Sequence, residues 1–193
     1  IPRGAVTALG GVAFSGLLFA AAVAAAVALP LAAVAIAVAN LLALVAYTKL
    51  FKGLPGVGNV VVAYLTGSTF LFGGAAVGRV ADPAVVVLVS LATLSREIVK
   101  DVEDVAGDRA EGLRTLPIVA GEPAALRIGA AVLAIAVAAS AVPYAMGTFG
   151  PAYLVVVVPA DAVMLDAIRR SFTDPGVAQR RLKRGMFLAA VAF

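Results

Sequence analysis

Residues 5–29 read AVTALGGVAFSGLLFAAAVAAAVAL and contain no charged side chain. An α-helix needs about 20 mostly apolar residues to cross a bilayer, so this stretch predicts a membrane-spanning helix. Further apolar stretches are separated by prolines, glycines or charged clusters and cover residues 30–47, 59–78, 83–98, 123–142, 151–168 and, cut short, 185–193. The valine-rich runs do not alternate apolar with polar residues, which argues against barrel strands. The sequence therefore predicts an all-α, polytopic transmembrane bundle of about seven spans.

The composition also indicates a membrane protein and excludes several kinds of chemistry. Hydrophobic residues make up 63% of the chain and charged residues 13%, with a mean hydropathy of +1.07. A soluble domain is about 45–50% apolar and about 25% charged. Because the chain has no Cys and no His, disulfides, thiolate nucleophiles, Ser-His-Asp triads, and zinc or haem sites built on Cys or His are excluded. Any metal must be bound by oxygen atoms, which favours Mg²⁺, Mn²⁺ or Ca²⁺.

Basic residues are distributed unevenly over the connecting segments. If successive stretches cross the membrane in alternating directions, every one of the 15 Lys and Arg residues except Arg79 falls on one side. Cytoplasmic loops carry such an excess, so the sequence predicts a multi-pass protein of the cell membrane whose charged loops and active site face the cytoplasm. The net charge of +4 then reflects orientation and contact with anionic membrane lipid. We expect no nucleic-acid partner.

Acidic residues are concentrated at the end of one apolar stretch. Glu97, Asp101, Asp104 and Asp108 are spaced at i, i+4, i+7 and i+11, which places them on one stripe of a continuous helix. Like charges at this spacing repel one another, and a Mg²⁺ ion shared with substrate phosphates would relieve the repulsion. An early helix end at Gly107 would move Asp108 out of line. The alternative is a solvated acidic loop balanced by nearby basic residues: Arg96, Lys100 and Arg109.

A second candidate is the segment of residues 47–59, which reads YTKLFKGLPGVGN. Lys49 and Lys52 could bind phosphate oxygens, and Tyr47 could donate a hydrogen bond. The glycines do not match a phosphate-binding loop of the Gly-x-x-x-x-Gly-Lys-Ser/Thr type. On position alone, an ordinary basic loop with an interfacial tyrosine is the better interpretation.

Three further features carry charge. Residues 180–184, RRLKR, are typical of a segment that binds anionic headgroups or sets topology. Asp161 and Asp166 lie inside an apolar stretch and are functional candidates, because intramembrane carboxylates are costly. Asp166 could instead pair with Arg169 or Arg170.

Taken in order along the chain, these motifs resemble those of the UbiA family of intramembrane prenyltransferases. Residues 96–109, Arg-Glu-x-x-Lys-Asp-x-Glu-Asp-x-x-Gly-Asp-Arg, and residues 112–118, Gly-Leu-Arg-Thr-Leu-Pro-Ile, resemble the family's second aspartate-rich motif. Residues 47–52 and 58–63 resemble its Tyr/Lys motif and the helix after it. Shorter segments match at the expected places, residues 3–6 and 183–187. The resemblance covers nearly the whole chain and is closest to the archaeal branch that makes ether lipids.

The resemblance implies a nine-helix fold in which the seven stretches are helices three to nine. The chain, residues 1–193, would be a single transmembrane prenyltransferase domain without the first two helices. The family's first aspartate-rich motif, of the type Asn-Asp-x-x-Asp, is absent from the sequence and would lie before Ile1. We therefore expect an internal portion of a longer protein.

The resemblance also implies roles for individual residues. The family binds a prenyl diphosphate through Mg²⁺ held between two aspartate-rich motifs, so Asp104 and Asp108 are the expected metal ligands. Asp101 would be a third metal ligand, or it would contact one of the other two ligands and hold it in position. Lys52 would neutralise the diphosphate and Tyr47 would hydrogen-bond to it. Departure of the diphosphate gives an allylic cation, which the acceptor attacks inside a cavity that excludes water.

For the archaeal branch, the expected donor is geranylgeranyl diphosphate and the expected acceptor is the hydroxyl of geranylgeranylglyceryl phosphate. Substrate contacts are expected from charged and polar residues around the motifs: Arg3, Lys49, Asn59, Arg96, Lys100, Arg109 and Arg114. The acceptor phosphate needs its own cation, and the sequence leaves several choices open: Arg3, Arg96, Arg109 and Arg114. Prenyl length and oligomeric state do not follow from these motifs.

Three alternatives remain open at this point. A UbiA-type enzyme could instead prenylate an aromatic ring, as in quinone or haem pathways. A CDP-alcohol phosphotransferase also places aspartates on membrane helices, but its motif requires Gly where Val105 follows Asp104. An ion-coupled transporter would place carboxylates near mid-membrane, whereas the acidic cluster lies at the end of an apolar stretch.

Overall fold

The computed structural model describes residues 7–193, and within these residues every regular element is a helix. This confirms the predicted all-α class. The helices are, in chain order, α1 (Ala8–Ala26), α2 (Leu31–Ala46), α3 (Val57–Ala76), α4 (Pro83–Glu103), α5 (Val105–Ala110), α6 (Leu116–Ala120), α7 (Glu122–Ala139), α8 (Val142–Ala145), α9 (Pro151–Ser171) and α10 (Pro175–Ala190). A π-helical turn, Tyr47–Phe51, continues α2.

Five segments in the described part of the chain are long and apolar enough to cross a membrane: Ala8–Ala26, Leu31–Phe51, Val57–Ala76, Glu122–Ala145 and Pro151–Ser171. The expected number of about seven is therefore too high. Helix α4 has the length, but its last two turns carry five charged residues between Arg96 and Glu103. Helix α10 begins with polar and basic residues and becomes apolar only after Gly185. The chain is nevertheless a multi-pass membrane protein.

Helix α4 lies at the centre of the bundle and packs against α3, α7 and α10. Its start is defined by Asp82, whose side chain accepts a hydrogen bond from the Ala84 N–H (2.7 Å), and by Pro83 at the first helical position, where proline costs no hydrogen bond. One face of α4 is buried in the main core cluster, together with side chains from α7, α9 and α10 that include Leu126, Leu133, Ile168 and Leu182.

Glycines allow the helices to approach closely, as the abundance of small residues in the apolar stretches predicts. A Cβ atom on Gly67 of α3 would lie 2.8 Å from the Val86 carbonyl oxygen of α4. A Cβ on Gly185 of α10 would lie 3.3 Å from the Ala160 carbonyl oxygen of α9. The spacing of α3, α4, α9 and α10, which surround the main cavity described below, therefore depends on these positions.

Candidate active site

The acidic segment is divided between two helices. Helix α4 ends at Glu103, and Asp104 (φ −91°, ψ 1°) separates it from α5. The chain therefore bends at Asp104 instead of continuing as the single helix that the carboxylate spacing predicts. Gly107, the other position considered for an early helix end, lies inside α5. Glu97 and Asp101 lie on one face of α4, as their spacing predicts, whereas Asp108 belongs to α5.

A backbone contact joins the segment after α5 to the turn after the π-helical turn of α2. The Arg114 N–H donates to the Gly53 carbonyl oxygen (3.2 Å). A Cβ on Gly53 would lie only 3.2 Å from the Leu113 side chain, so a glycine suits this approach. The contact brings the two sequence motifs, residues 47–59 and residues 96–115, to the same place.

A polar pocket of about 90 Å³ lies between these motifs. Its polar lining comes from both of them: Tyr47, Lys52, Asn59, Glu97, Lys100, Asp101, Asp108 and Thr115. Gly58 allows the start of α3 to pack against the π-helical turn, because a Cβ there would lie 3.1 Å from the Phe51 carbonyl oxygen and 3.3 Å from the Tyr47 ring. π-Helical turns occur frequently at functional sites.

Asp101 and Asn59 form the central side-chain contact of this pocket. The Asn59 amide Nδ2 donates to Asp101 Oδ2 at 2.8 Å, and Asn59 is buried. Burial raises the pKa of Asp101 to about 6, although the Asn59 hydrogen bond and the nearby Lys100 charge act in the opposite direction. A carboxylate in such an environment gains from an additional cation.

The remaining expected site residues lie at the margin of this pocket or outside it. Asp104 pairs with Lys100 (Oδ2 to Nζ, 2.7 Å) and is about half exposed. The Lys52 ammonium lies 3.6 Å from the Glu111 carboxylate, and both side chains are exposed. Three expected contacts are exposed and are absent from the lining of the cavities described here: Lys49, Arg109 and Arg114. Arg3 lies outside the described residues.

The donor set of the polar pocket suits a partly hydrated Mg²⁺ ion. Asp101 and Asp108 both line the pocket. Among residues 7–193, however, no three acidic side chains converge closely enough to hold an ion alone. Mg²⁺ is usually bound by one or two carboxylates, with waters and substrate phosphates as the other ligands. The residues present therefore fit the ion as part of a shared site with a phosphate-bearing ligand.

A second cavity, of about 460 Å³, lies between α3, α4, α7, α9 and α10. Its volume is in the usual range for small-molecule sites, and most of its wall is apolar, including Leu88, Val157, Met164, Met186 and Phe187. At one end, Phe70 and Tyr153 each lie 5.9 Å from Phe193, measured between ring centroids. The resemblance to the prenyltransferase family implies a cavity that excludes water, but its lining was not predictable from the sequence because it comes from five helices that are distant along the chain.

Glu97 connects the two cavities, since it lines both. Its carboxylate pairs with Arg96, and the Arg96 Nη2 donates to Gln179 Oε1 of α10 at 3.2 Å. Arg96 and Lys183 line only the apolar cavity. The Arg96 Nε is buried without a hydrogen-bond partner in the described part of the chain. The polar pocket and the apolar cavity thus meet at a charged junction.

The two intramembrane carboxylates have different environments. Asp161 is buried in the wall of the apolar cavity, and the Ser140 hydroxyl donates to its Oδ2 at 2.7 Å. Asp166 is partly exposed and pairs with Arg170 (2.9 Å) and with Arg181 of α10. Of the two interpretations of Asp166, the structure supports the alternative one, an ion pair with Arg170. Asp166 therefore joins α9 to α10 outside both cavities.

Comparison with known proteins shows which family the chain matches and which proteins it is similar to. The model of the "UbiA prenyltransferase family" matches residues 1–191. A digeranylgeranylglyceryl phosphate synthase of Haloquadratum walsbyi is 59% identical over 100% of this chain and 68% of its own length. The synthase of the same name from Natronomonas pharaonis is 60% identical over 100% of this chain and 70% of its own length.

A solved structure described as digeranylgeranylglyceryl phosphate synthase has the same fold. It superposes with a TM-score of 0.76 at 32% identity, over 100% of this chain and 71% of the solved one. The family model, the two relatives and the fold agree, and the chain is a membrane prenyltransferase that belongs to the UbiA prenyltransferase family.

Proposed function

We propose that the protein transfers a geranylgeranyl group from geranylgeranyl diphosphate to geranylgeranylglyceryl phosphate, in a Mg²⁺-dependent reaction of archaeal ether-lipid synthesis. The observation that carries this proposal is the junction at Glu97 between a small polar pocket and a large apolar cavity. Such a pair of compartments matches a donor with a charged head and a long apolar chain. The name shared by the relatives supports the lipid acceptor.

The donor diphosphate binds in the polar pocket. Lys52 and Lys100 neutralise its charge, Tyr47 donates a hydrogen bond to it, and the Asn59 amide orients Asp101. Mg²⁺, when bound, stabilises the departing diphosphate. In this chain the residues that would hold the ion are Asp108 and Asp101, together with Asp104, whose carboxylate pairs with Lys100 in the structure.

The prenyl chain occupies the apolar cavity. The cavity wall excludes water from the allylic cation that forms as the diphosphate leaves. Tyr153 and Phe193 lie at the end of the cavity that is remote from Glu97 along α4 and α9. We expect the last isoprene units of the chain to contact them.

The acceptor phosphate binds Arg96 and Lys183. Of the four arginines considered for this role, Arg96 lines the apolar cavity, whereas Arg109 and Arg114 are exposed elsewhere. Lys183 of α10 lines the same cavity, so the two cations face one space from two helices. The basic side of the protein, with this site, faces the cytoplasm under the positive-inside rule.

The alternatives differ in what they predict. Membership of the UbiA family gives no support to a CDP-alcohol phosphotransferase or an ion-coupled transporter. An aromatic acceptor differs from the lipid acceptor in that an aromatic ring carries no phosphate group that Arg96 and Lys183 could bind. Binding to these two cations is therefore what separates the two substrates.

The test is a product assay on the protein expressed from its full reading frame and reconstituted in lipid nanodiscs. Geranylgeranyl diphosphate and geranylgeranylglyceryl phosphate are supplied with Mg²⁺ or with EDTA, and the lipid product is followed by mass spectrometry. We expect Mg²⁺-dependent product, with at least a 100-fold lower kcat for Asp108→Asn. Asp174→Asn is the control, because Asp174 only caps the start of α10 and asparagine caps helices equally well.

Two results would contradict the proposal. Prenylation of an aromatic acceptor, without product from the lipid acceptor, would keep the family and exclude the lipid substrate. The second result is that no acceptor is prenylated, although circular dichroism shows that the protein has the helical spectrum of the folded state. This result would exclude prenyl transfer itself.

A further inference from the structure

Ether formation from an alcohol requires a proton acceptor. The acceptor oxygen forms a bond to C1 of the prenyl group, and the bond between C1 and the diphosphate oxygen breaks with its electron pair remaining on the diphosphate. The hydroxyl proton must then leave the new ether oxygen. A group that accepts it must lie where the charged head of the donor meets its chain. This reasoning rests on the proposed function.

We propose that Glu97 accepts this proton. It is the one acidic residue in the described part of the chain that lines both the polar pocket and the apolar cavity. Asp101, one helical turn towards the diphosphate, lines only the pocket, and Thr93, one turn in the other direction, lines only the cavity. A step of four residues advances about 6 Å along α4. C1 of the donor, which joins diphosphate to chain, therefore lies beside Glu97.

The other carboxylates near the two cavities are less well placed. Asp101 already accepts the Asn59 hydrogen bond and belongs to the diphosphate end. Asp108 lies on α5, beyond the end of α4. Asp161 lines the cavity near the middle of α9 and accepts a hydrogen bond from Ser140, so it faces the prenyl chain and not the reacting carbon.

The surroundings of Glu97 orient it for this role. Its side chain is 15% exposed. Arg96 pairs with Oε1 of Glu97 and is itself held by Gln179, while Glu97 Oε2 makes no hydrogen bond within residues 7–193. In the acceptor, the reacting hydroxyl is on the carbon next to the one that bears the phosphate. A phosphate bound by Arg96 therefore brings the hydroxyl to the free oxygen of Glu97.

The proposal is tested with Glu97→Gln, Glu97→Asp and the control Glu103→Gln. Glu103 is on the same helix but is exposed and lines neither cavity. Two quantities are measured in nanodiscs with geranylgeranyl diphosphate and Mg²⁺: lipid product with the acceptor present, and diphosphate release by solvolysis with the acceptor absent. The second does not require proton removal from the acceptor, so it separates the two halves of the reaction.

We expect Glu97→Gln to lower kcat for transfer by about 100-fold or more, the usual range for loss of a general base. Its KM for the donor, its Mg²⁺ requirement and its acceptor-free diphosphate release should stay within about twofold of the wild type. The kcat of Glu97→Asp should be at least tenfold higher than that of Glu97→Gln, because aspartate keeps the carboxylate. Glu103→Gln should match the wild type.

Three outcomes would overturn the inference. A Glu97→Gln variant with wild-type kcat would exclude a proton acceptor at this position. A variant that loses transfer and diphosphate release together would show that Glu97 acts on the donor or the metal. If Glu97→Gln does not fold, Glu97→Ala replaces it, and wild-type kcat in that variant would overturn the inference. Absence of transfer by the wild type would instead overturn the proposed function on which the inference rests.

Discussion

Asp101 combines a position in the candidate site with an unfavourable environment. Its carboxylate is held by Asn59 in the polar pocket, and burial raises its pKa to about 6 from an ordinary value of 3.8. The folded protein therefore binds a proton at Asp101 more tightly than the unfolded chain does. Stability contributed by this proton is present at low pH and is lost as the pH rises towards 6 and above.

We predict that Asp101→Asn stabilises the Mg²⁺-free protein at pH 7.5 while removing activity. The asparagine carbonyl can still accept the Asn59 hydrogen bond, and the buried charge disappears. The full pKa difference corresponds to about 3 kcal/mol; because Asp101 is partly solvated, we expect about 1–2 kcal/mol. Thermal unfolding, followed by circular dichroism at 222 nm in detergent, measures the change. The advantage of the variant should shrink as the pH is lowered from 7.5 to 5.

Asp104→Asn is the matched control. Asp104 is about half exposed and pairs with Lys100 on the protein surface, and such ion pairs contribute about 0–1 kcal/mol. This variant should therefore be neutral or slightly destabilised at pH 7.5. A lower unfolding temperature for Asp101→Asn than for the wild type would refute the account of the buried charge.

Helix α4 is the element that organises the site, and the sequence predicts only part of it. The spacing of Glu97 and Asp101 correctly places them on one face. The bend at Asp104 was not predictable from local signals, because neither Pro nor Gly stands there and the next residue is Val105. Contacts from outside the segment, such as the Arg114 bond to Gly53, accompany the bend and were not visible in the sequence.

The packing of α3 against α4 gives a second prediction. Gly67→Ala would place a Cβ 2.8 Å from the Val86 carbonyl oxygen, so the helices must separate. We expect a loss of about 1–3 kcal/mol of stability. Activity should fall too, because Thr66 and Phe70 of α3 line the apolar cavity. Thermal unfolding and the product assay measure both effects.

Gly73→Ala is the control on the same helix. Nothing lies within 4 Å of a Cβ at Gly73, and alanine is favoured over glycine in a helix by about 0.5–1 kcal/mol. This variant should be at least as stable as the wild type. Equal unfolding temperatures for the two alanine variants would show that α3 and α4 are not held by close contact at Gly67.

At the scale of the whole molecule, the sequence predicts the fold class but not which residues line the cavity. Continuous apolar stretches correctly indicate a helical membrane protein. The number of spans was overestimated because α4 and α10 combine apolar faces with charged turns. The apolar cavity joins residues as distant as Thr66, Ser140 and Lys183, and no local pattern encodes such a meeting.

The central claim is that one donor molecule occupies both compartments, with its diphosphate in the polar pocket and its chain in the apolar cavity. The most direct test is photo-crosslinking with a geranylgeranyl diphosphate analogue that carries a diazirine at the far end of the chain, followed by peptide mass spectrometry. We predict crosslinks to Phe70, Tyr153 or Phe193, which excess geranylgeranyl diphosphate and the Lys52→Ala substitution both reduce. Crosslinks confined to the exposed helix α1, and insensitive to competition, would contradict the claim.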